Sequence, residues 1–207
     1  VNGGAFIAIG SPVTVATEEV NVNNGVEQAL IDLSGITDLQ NIPSTSTVTF
    51  RLYAWGGSTP AVDATDKTYV NFGFGKSTTT IPSLTINGSI TGDAPKTSSI
   101  ISAWEFSTVG NSTTANPSPI SGSFNATTKD ANLQSGIISR GAGLVVASLY
   151  YSYAATSPAS SSKQYAIDNN LYFQTVLTPV SNIKLSLSGL KYKFRRYAVG
   201  PTNYFWR

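Results

Sequence analysis

The sequence predicts an all-β fold, an antiparallel jelly-roll-like β-sandwich. Three observations carry that reading. Apolar and polar residues alternate with a period of two through most of the ordered-looking stretches. Turn signals recur at short intervals. No convincing amphipathic helical pattern is present.

Along the chain, the first strong strand is Thr47–Trp55, where Val48, Phe50, Leu52 and Ala54 share one face. Val70, Phe72 and Phe74 form a second such face, and Ser83–Ile90 and Ser99–Phe106 read as two more strands. Leu144, Val146, Ser148 and Tyr150 share a face, as do Leu171, Phe173, Thr175 and Leu177. Leu185 and Leu187 continue the pattern, but Leu190, Tyr192 and Phe194 follow Gly189 out of phase by one residue, which predicts a bulge there. The predicted core draws on the larger apolar members of these faces: Val48, Phe50, Leu52, Phe72, Phe74, Leu144, Val146, Phe173, Leu185, Leu187 and Phe194. Asn23-Asn24-Gly25, Gly56-Gly57, Asn87-Gly88 and Asn169-Asn170 predict turns, Ser157–Ser162 a loop, and helix is expected only as short turns near Leu33–Leu39 or Ser118–Phe124.

Composition narrows the chemistry. Of 207 residues, 41% are hydrophobic and only 12% charged. The charged share is about half that of an ordinary globular domain, a profile of secreted β-proteins. The chain has no Cys, His or Met. That removes His- and Cys-based metal sites and triads, and disulfide staples. A net charge of +2 does not suit nucleic-acid capture. Lys191, Lys193, Arg195 and Arg196 cluster, and the alternating Lys191, Lys193 and Arg195 read as one solvated sheet face. No run is long and apolar enough to span a bilayer, so no membrane span is expected, and the absence of an initiator Met or signal peptide reads as a processed, exported chain.

Four stretches carry a family resemblance. They are Val48–Gly56, Ala103-Trp104-Glu105-Phe106, Ser139-Arg140-Gly141-Ala142-Gly143-Leu144, and the run from Arg195-Arg196 through Gly200-Pro201 to Arg207. Together they resemble secreted bacterial LamG-like or jelly-roll modules, including those of exported proteins that carry a PEP-CTERM sorting tail. In such modules the Trp-x-Phe, Ser-Arg-Gly and Arg-Arg segments come first, and segments like Asn2–Gly10 and Phe50–Trp55 close the domain. Here the order is swapped: 1–90 reads as a closing half, 91–98 as a linker and 99–207 as an opening half. The resemblance implies a secreted or cell-surface structural module with no cofactor.

Swapped halves leave three expectations. The halves pair within one chain as a permuted sandwich, each half pairs with that of a neighbour, or the chain is a segment of a tandem-repeat protein. Tyr204-Phe205-Trp206-Arg207 reads straight into Val1-Asn2-Gly3-Gly4-Ala5-Phe6 as one strand-turn segment. On that basis Val1, Phe6, Tyr204, Phe205, Trp206 and Arg207 are the expected contact of a head-to-tail homopolymer, an extracellular filament or surface layer used in adhesion.

The alternative is a carbohydrate-binding module, with Trp55, Tyr150, Tyr151 and Tyr153 as a sugar-stacking set and glycans as partners. Less favoured is a carboxylate hydrolase built around Glu105, because a glycosidase needs two carboxylates across a cleft and the chain has 11 acids in all. Asp63, Asp66 and Asn71 lack the dense spacing of a calcium loop. The expected assignment is therefore no enzyme, no catalytic residues and no metal. Asn87, Asn111 and Asn125 begin Asn-x-Ser/Thr triplets, which chance readily supplies in such a composition.

Overall fold

In a computed structural model, the chain is described over residues 4–15, 25–57, 71–75, 82–91, 99–107, 122–147, 151–157, 162–196 and 200–207. Two antiparallel sheets pack face to face, and the fold is an all-β sandwich. From the N-terminal side come β1 (Ile9–Thr14), β2 (Val26–Glu27), β3 (Ile31–Asp32), β4 (Ile42–Pro43), β5 (Val48–Trp55), β6 (Asn71–Gly75) and β7 (Leu84–Thr91). Then follow β8 (Ser99–Trp104), β9 (Phe124–Asn125), β10 (Thr128–Lys129), β11 (Leu133–Arg140), β12 (Val145–Val146) and β13 (Ser152–Thr156). The helix α1 (Lys163–Asp168) precedes β14 (Tyr172–Pro179), β15 (Lys184–Arg196) and β16 (Asn203–Trp206).

The six-stranded sheet runs β1-β16-β5-β14-β11-β9. The larger sheet runs β10-β8-β7-β15-β6-β13-β12, with β2, β3 and β4 also paired to β15. Both sequence halves supply strands to both sheets, so within this chain 1–90 and 99–207 share one core. The proposed linker joins β7 to β8, which are antiparallel neighbours; residues 92–98 lie outside the described part.

The inter-sheet core is aromatic. Phe173 of β14 meets Phe72 at 5.2 Å and Phe74 at 5.3 Å, ring centre to ring centre, across the sandwich. Trp206 of β16 meets Tyr192 of β15 at 5.3 Å, and Tyr204 meets Phe194 at 4.8 Å. Such edge-on and tilted pairs are worth about 0.5–1.5 kcal/mol each beyond their area. Ten of the eleven predicted core residues are buried; Val146 is half-buried because β12 is a two-residue strand at the sheet margin.

β15 organises the larger sheet. Its 13 residues pair with β7 over Lys184–Tyr192 and with β6 over Phe194–Arg196. Phe194 also pairs with Val26, and Lys184 with Pro43, so β2 and β4 occupy the opposite edge. The predicted bulge is present: the register with β7 slips between Leu187 and Gly189, and the extra residue, Ser188, turns its carbonyl to the Leu33 N–H. The slip keeps Leu185 and Leu187, then Leu190, Tyr192 and Phe194, all facing the core.

Three expectations need correction. Asn87-Gly88 is no turn but mid-strand in β7, paired on both edges, where Gly88 sits too close to the Ser186 backbone for a side chain. The basic cluster is not one solvated face: Lys191 is exposed, Lys193 half-buried, and Arg195 and Arg196 are buried. Arg195 pairs with Gly73 and packs against Gly75, whose missing side chain makes room for it, and Arg196 donates to the Gly200 carbonyl at 3.4 Å. The third is α1, unforeseen after the predicted loop; Ser162 caps it by accepting from the Tyr165 N–H at 3.2 Å. The short turn expected near Leu33–Leu39 is the 3-10 turn Thr37–Leu39.

Candidate functional site

The richest side-chain constellation lies on the outer face of the six-stranded sheet. Alternation in β5 sends Val48, Phe50, Leu52 and Ala54 inward, so Arg51, Tyr53 and Trp55 point outward. Register then places Tyr53 between Tyr172 of β14 and Phe205 of β16. The ring centres are 5.3 Å apart in both pairs, and Trp55 meets Phe205 at 5.7 Å. α1 packs over β5 here, and the Lys163 ammonium sits 4.2 Å above the Phe205 ring.

Arg51 is held from several sides. Its guanidinium lies 4.1 Å from the ring centres of both Phe6 and Tyr172, and its Nε donates to Gln174 Oε1 at 2.8 Å. Directly opposite stands Arg207, which exchanges both main-chain bonds with Arg51 (2.7 and 2.8 Å). Arg207 sends Nε and Nη2 to the Phe6 carbonyl at 3.1 and 2.7 Å. Two like charges opposed on one face repel. Neither has an ion pair with a described carboxylate.

Beside this pair opens a cavity of about 480 Å³. Its walls include five consecutive residues of one segment, Thr47 to Arg51, and six of another, Gly4 to Ile9. A cavity on one face of a sheet touches every second residue of a strand. Consecutive residues on both sides place this one edge-on, in the plane of the sheet.

The expected site residues divide among several environments. Tyr204, Phe205 and Trp206 are buried, with β16 paired to β1 on one edge and β5 on the other in the same chain. Phe6 and Arg207 are half-buried at the cavity, and Val1 lies outside the described residues. The glycan-stacking set does not form one surface. Trp55 is half-buried on the outer face and Tyr151 half-buried elsewhere in a left-handed backbone conformation. Tyr153 is enclosed in the core, donating to the Gly122 carbonyl at 2.7 Å beneath Arg140, and Tyr150 is outside the described part. Burial pushes the Tyr153 hydroxyl up in pKa, more than the nearby Arg140 charge draws it down.

Among the acids, Glu105 uses Oε1 to accept the Ser107 N–H at 2.9 Å. Asn71 accepts from Thr156 Oγ1 at 2.5 Å, while Asp63 and Asp66 lie outside the described residues. Asp32 closes a turn, accepting from the Ser34 side chain at 2.7 Å and its N–H at 2.9 Å, which together hold its carboxyl below the usual range. Among the described residues no three metal-ligating side chains cluster. Asn87 is inside a strand, Asn125 is exposed, and Asn111 is outside the described part. No helix among the described residues is long and apolar enough to cross a membrane.

Sequence reasoning passed over Arg51, Tyr172 and Gln174. The available signal was Arg51 as the one charge inside the strand Val48–Trp55. The chain matches no family model, and no curated protein and no solved structure is found similar to it.

Proposed function

We propose that this protein is an extracellular structural β-sandwich module, secreted or surface-displayed, that self-associates head to tail and serves adhesion. What supports the reading above all is where the aromatic rings go. A carbohydrate-binding module keeps Trp and Tyr rings exposed on a concave face; here Trp104, Trp206, Tyr153, Tyr192 and Tyr204 are buried in the core, and Tyr53 on the outer face is buried as well. The low charge and the motif resemblance to secreted jelly-roll modules point the same way.

Within that reading the contact between units shifts. Tyr204, Phe205 and Trp206 are engaged inside their own chain, so Phe6 and Arg207 are the members of the expected contact left at an accessible edge. Electron microscopy of concentrated protein tests this: axially repeating units support it. Discrete monomers at every concentration, together with saturable binding on a glycan array, would replace it with the carbohydrate-binding alternative.

A further inference from the structure

The margins of the two sheets are not equally finished. β1, at one end of the smaller sheet, carries Pro12 and a register slip between Ile9 and Val13, and β10, at one end of the larger, carries the exposed Lys129. Proline, irregularity and charge keep an edge from pairing with another chain. β12, at the other end of the larger sheet, has none of them, and from Gly141 to Ser162 the sequence holds no charged residue. Three things are left incomplete at β12. The first is main chain. Ala147 donates its N–H to the Ala154 carbonyl of β13 at 3.3 Å, and Val145, two residues back, lies opposite Thr156 in the same phase. Main-chain groups alternate in direction along a strand, so the N–H and C=O of Val146 point away from β13. No described residue bonds them there. The second is the outer face, where Val145 is 66% exposed. The third is the inner face, where Val146 is half-buried although Ala155, opposite it, is fully enclosed.

We propose that β12 pairs with β12 of a second copy of this chain, antiparallel about a two-fold axis through Val146. In that register each Val146 exchanges both main-chain bonds with the Val146 of the other copy. The two Val146 side chains meet at the end of the core and complete its inner face. On the outer face each exposed Val145 lies opposite Ala147 of the other copy, a larger side chain against a smaller one. The uncharged run is what selects a second copy over an unrelated strand. Close to a two-fold axis every charge faces its own copy and repels it, so a self-contact requires an edge without charge. A partner recognised through charge would need a charge here to read, and β12 offers none. The contact is short, below the size of a permanent dimer interface, so the association is weak. It goes beyond the assembly reading and does not rest on it: a two-fold contact closes as a dimer, whereas a head-to-tail contact propagates.

Sedimentation velocity on the full chain, from about 10 μM to 1 mM, tests the contact together with Val145→Lys and Val145→Glu. Val145 is exposed, so both variants should keep the circular dichroism spectrum and melting temperature of the parent. The parent should show a monomer–dimer equilibrium. In either variant alone, two like charges stand diagonally across the axis, and the dissociation constant should rise at least about tenfold. An equimolar mixture of the two variants should dimerise again, and added salt should weaken that mixed dimer. Amide exchange gives a second readout: the Val146 N–H should slow as the parent is concentrated, while the Val145 N–H, which faces β13, should not change. A parent that stays monomeric throughout, or a mixture of variants that fails to pair, overturns the proposal. So does a Val146 N–H as protected as that of Val145 at the lowest concentration, since the edge would then be covered within one chain. Self-association that Val145→Lys leaves unchanged also overturns it but leaves head-to-tail assembly standing, so the two readings fail separately.

Discussion

β15 and β5 are both inner strands, and both alternate apolar and polar residues, yet their edges end differently. β15 is flanked along its length, by β7 and β6 on one side and by β2, β3 and β4 in turn on the other. β5 is paired with β14 over Val48–Tyr53 and, on its other edge, with the single C-terminal stretch from Asn203 to Arg207 over Arg51–Trp55. The arginines follow the same division. Arg195 and Arg196 on β15 are enclosed, while Arg51 and Arg207 stand side by side at an open cavity. A strand's own pattern determines which face it buries; which strands flank it is set by the rest of the chain.

The largest effect that separates the two regions is in packing. Phe173→Ala removes a ring that touches Phe72, Phe74 and Tyr153, and should cost about 3–5 kcal/mol in urea unfolding. Ile7→Ala, at the cavity wall, should cost under about 0.5 kcal/mol. Comparable losses at both positions would mean the cavity wall is packed like the core.

The next effect is in the tyrosine chain beneath β15. Tyr192 donates to Tyr204 at 3.1 Å, and Tyr204 to Gln28 Oε1 at 2.6 Å. Burial raises the pKa of Tyr153, Tyr192 and Tyr204 above the ordinary value. Above pH of about 10 the unfolded chain releases protons that the folded chain keeps, so stability present below that pH should fall as pH rises. The slope should approach about 1.4 kcal/mol per pH unit for each such tyrosine. Tyr204→Phe should cost about 1 kcal/mol at neutral pH and flatten the alkaline decline measured by denaturant titration.

Fold class was legible in the sequence because burial on one face per strand writes a period of two into the chain, and the Gly189 phase change recorded the bulge directly. Edge pairing leaves no such mark. Asn87-Gly88 looked like a hairpin turn because that dipeptide favours left-handed backbone, but neighbours on both sides hold it extended. α1 is too short to show a helical period, leaving only its Ser162 cap as a signal. Arg51 was visible as an odd charge in an apolar strand, but its opposition to Arg207 joins residues 156 positions apart, a relation only the fold creates.

The smallest effect concerns that pair. Because opposed like charges repel, Arg207→Gln should change stability by less than about 0.5 kcal/mol at low salt, with the sign favouring the variant. Added salt should narrow the difference, as screening weakens the repulsion in the parent. A variant destabilised by more than 1.5 kcal/mol, beyond the loss of an ordinary hydrogen bond, would show that the Arg207 contacts with Phe6 outweigh the repulsion.

Amide hydrogen exchange along β5, read residue by residue by NMR, is the most direct test of the pairing of β16 with β5 inside one chain. Slow exchange is expected at Arg51 and Tyr53, whose N–H groups face β16. Fast exchange at both would contradict a core shared by 1–90 and 99–207 of the same chain.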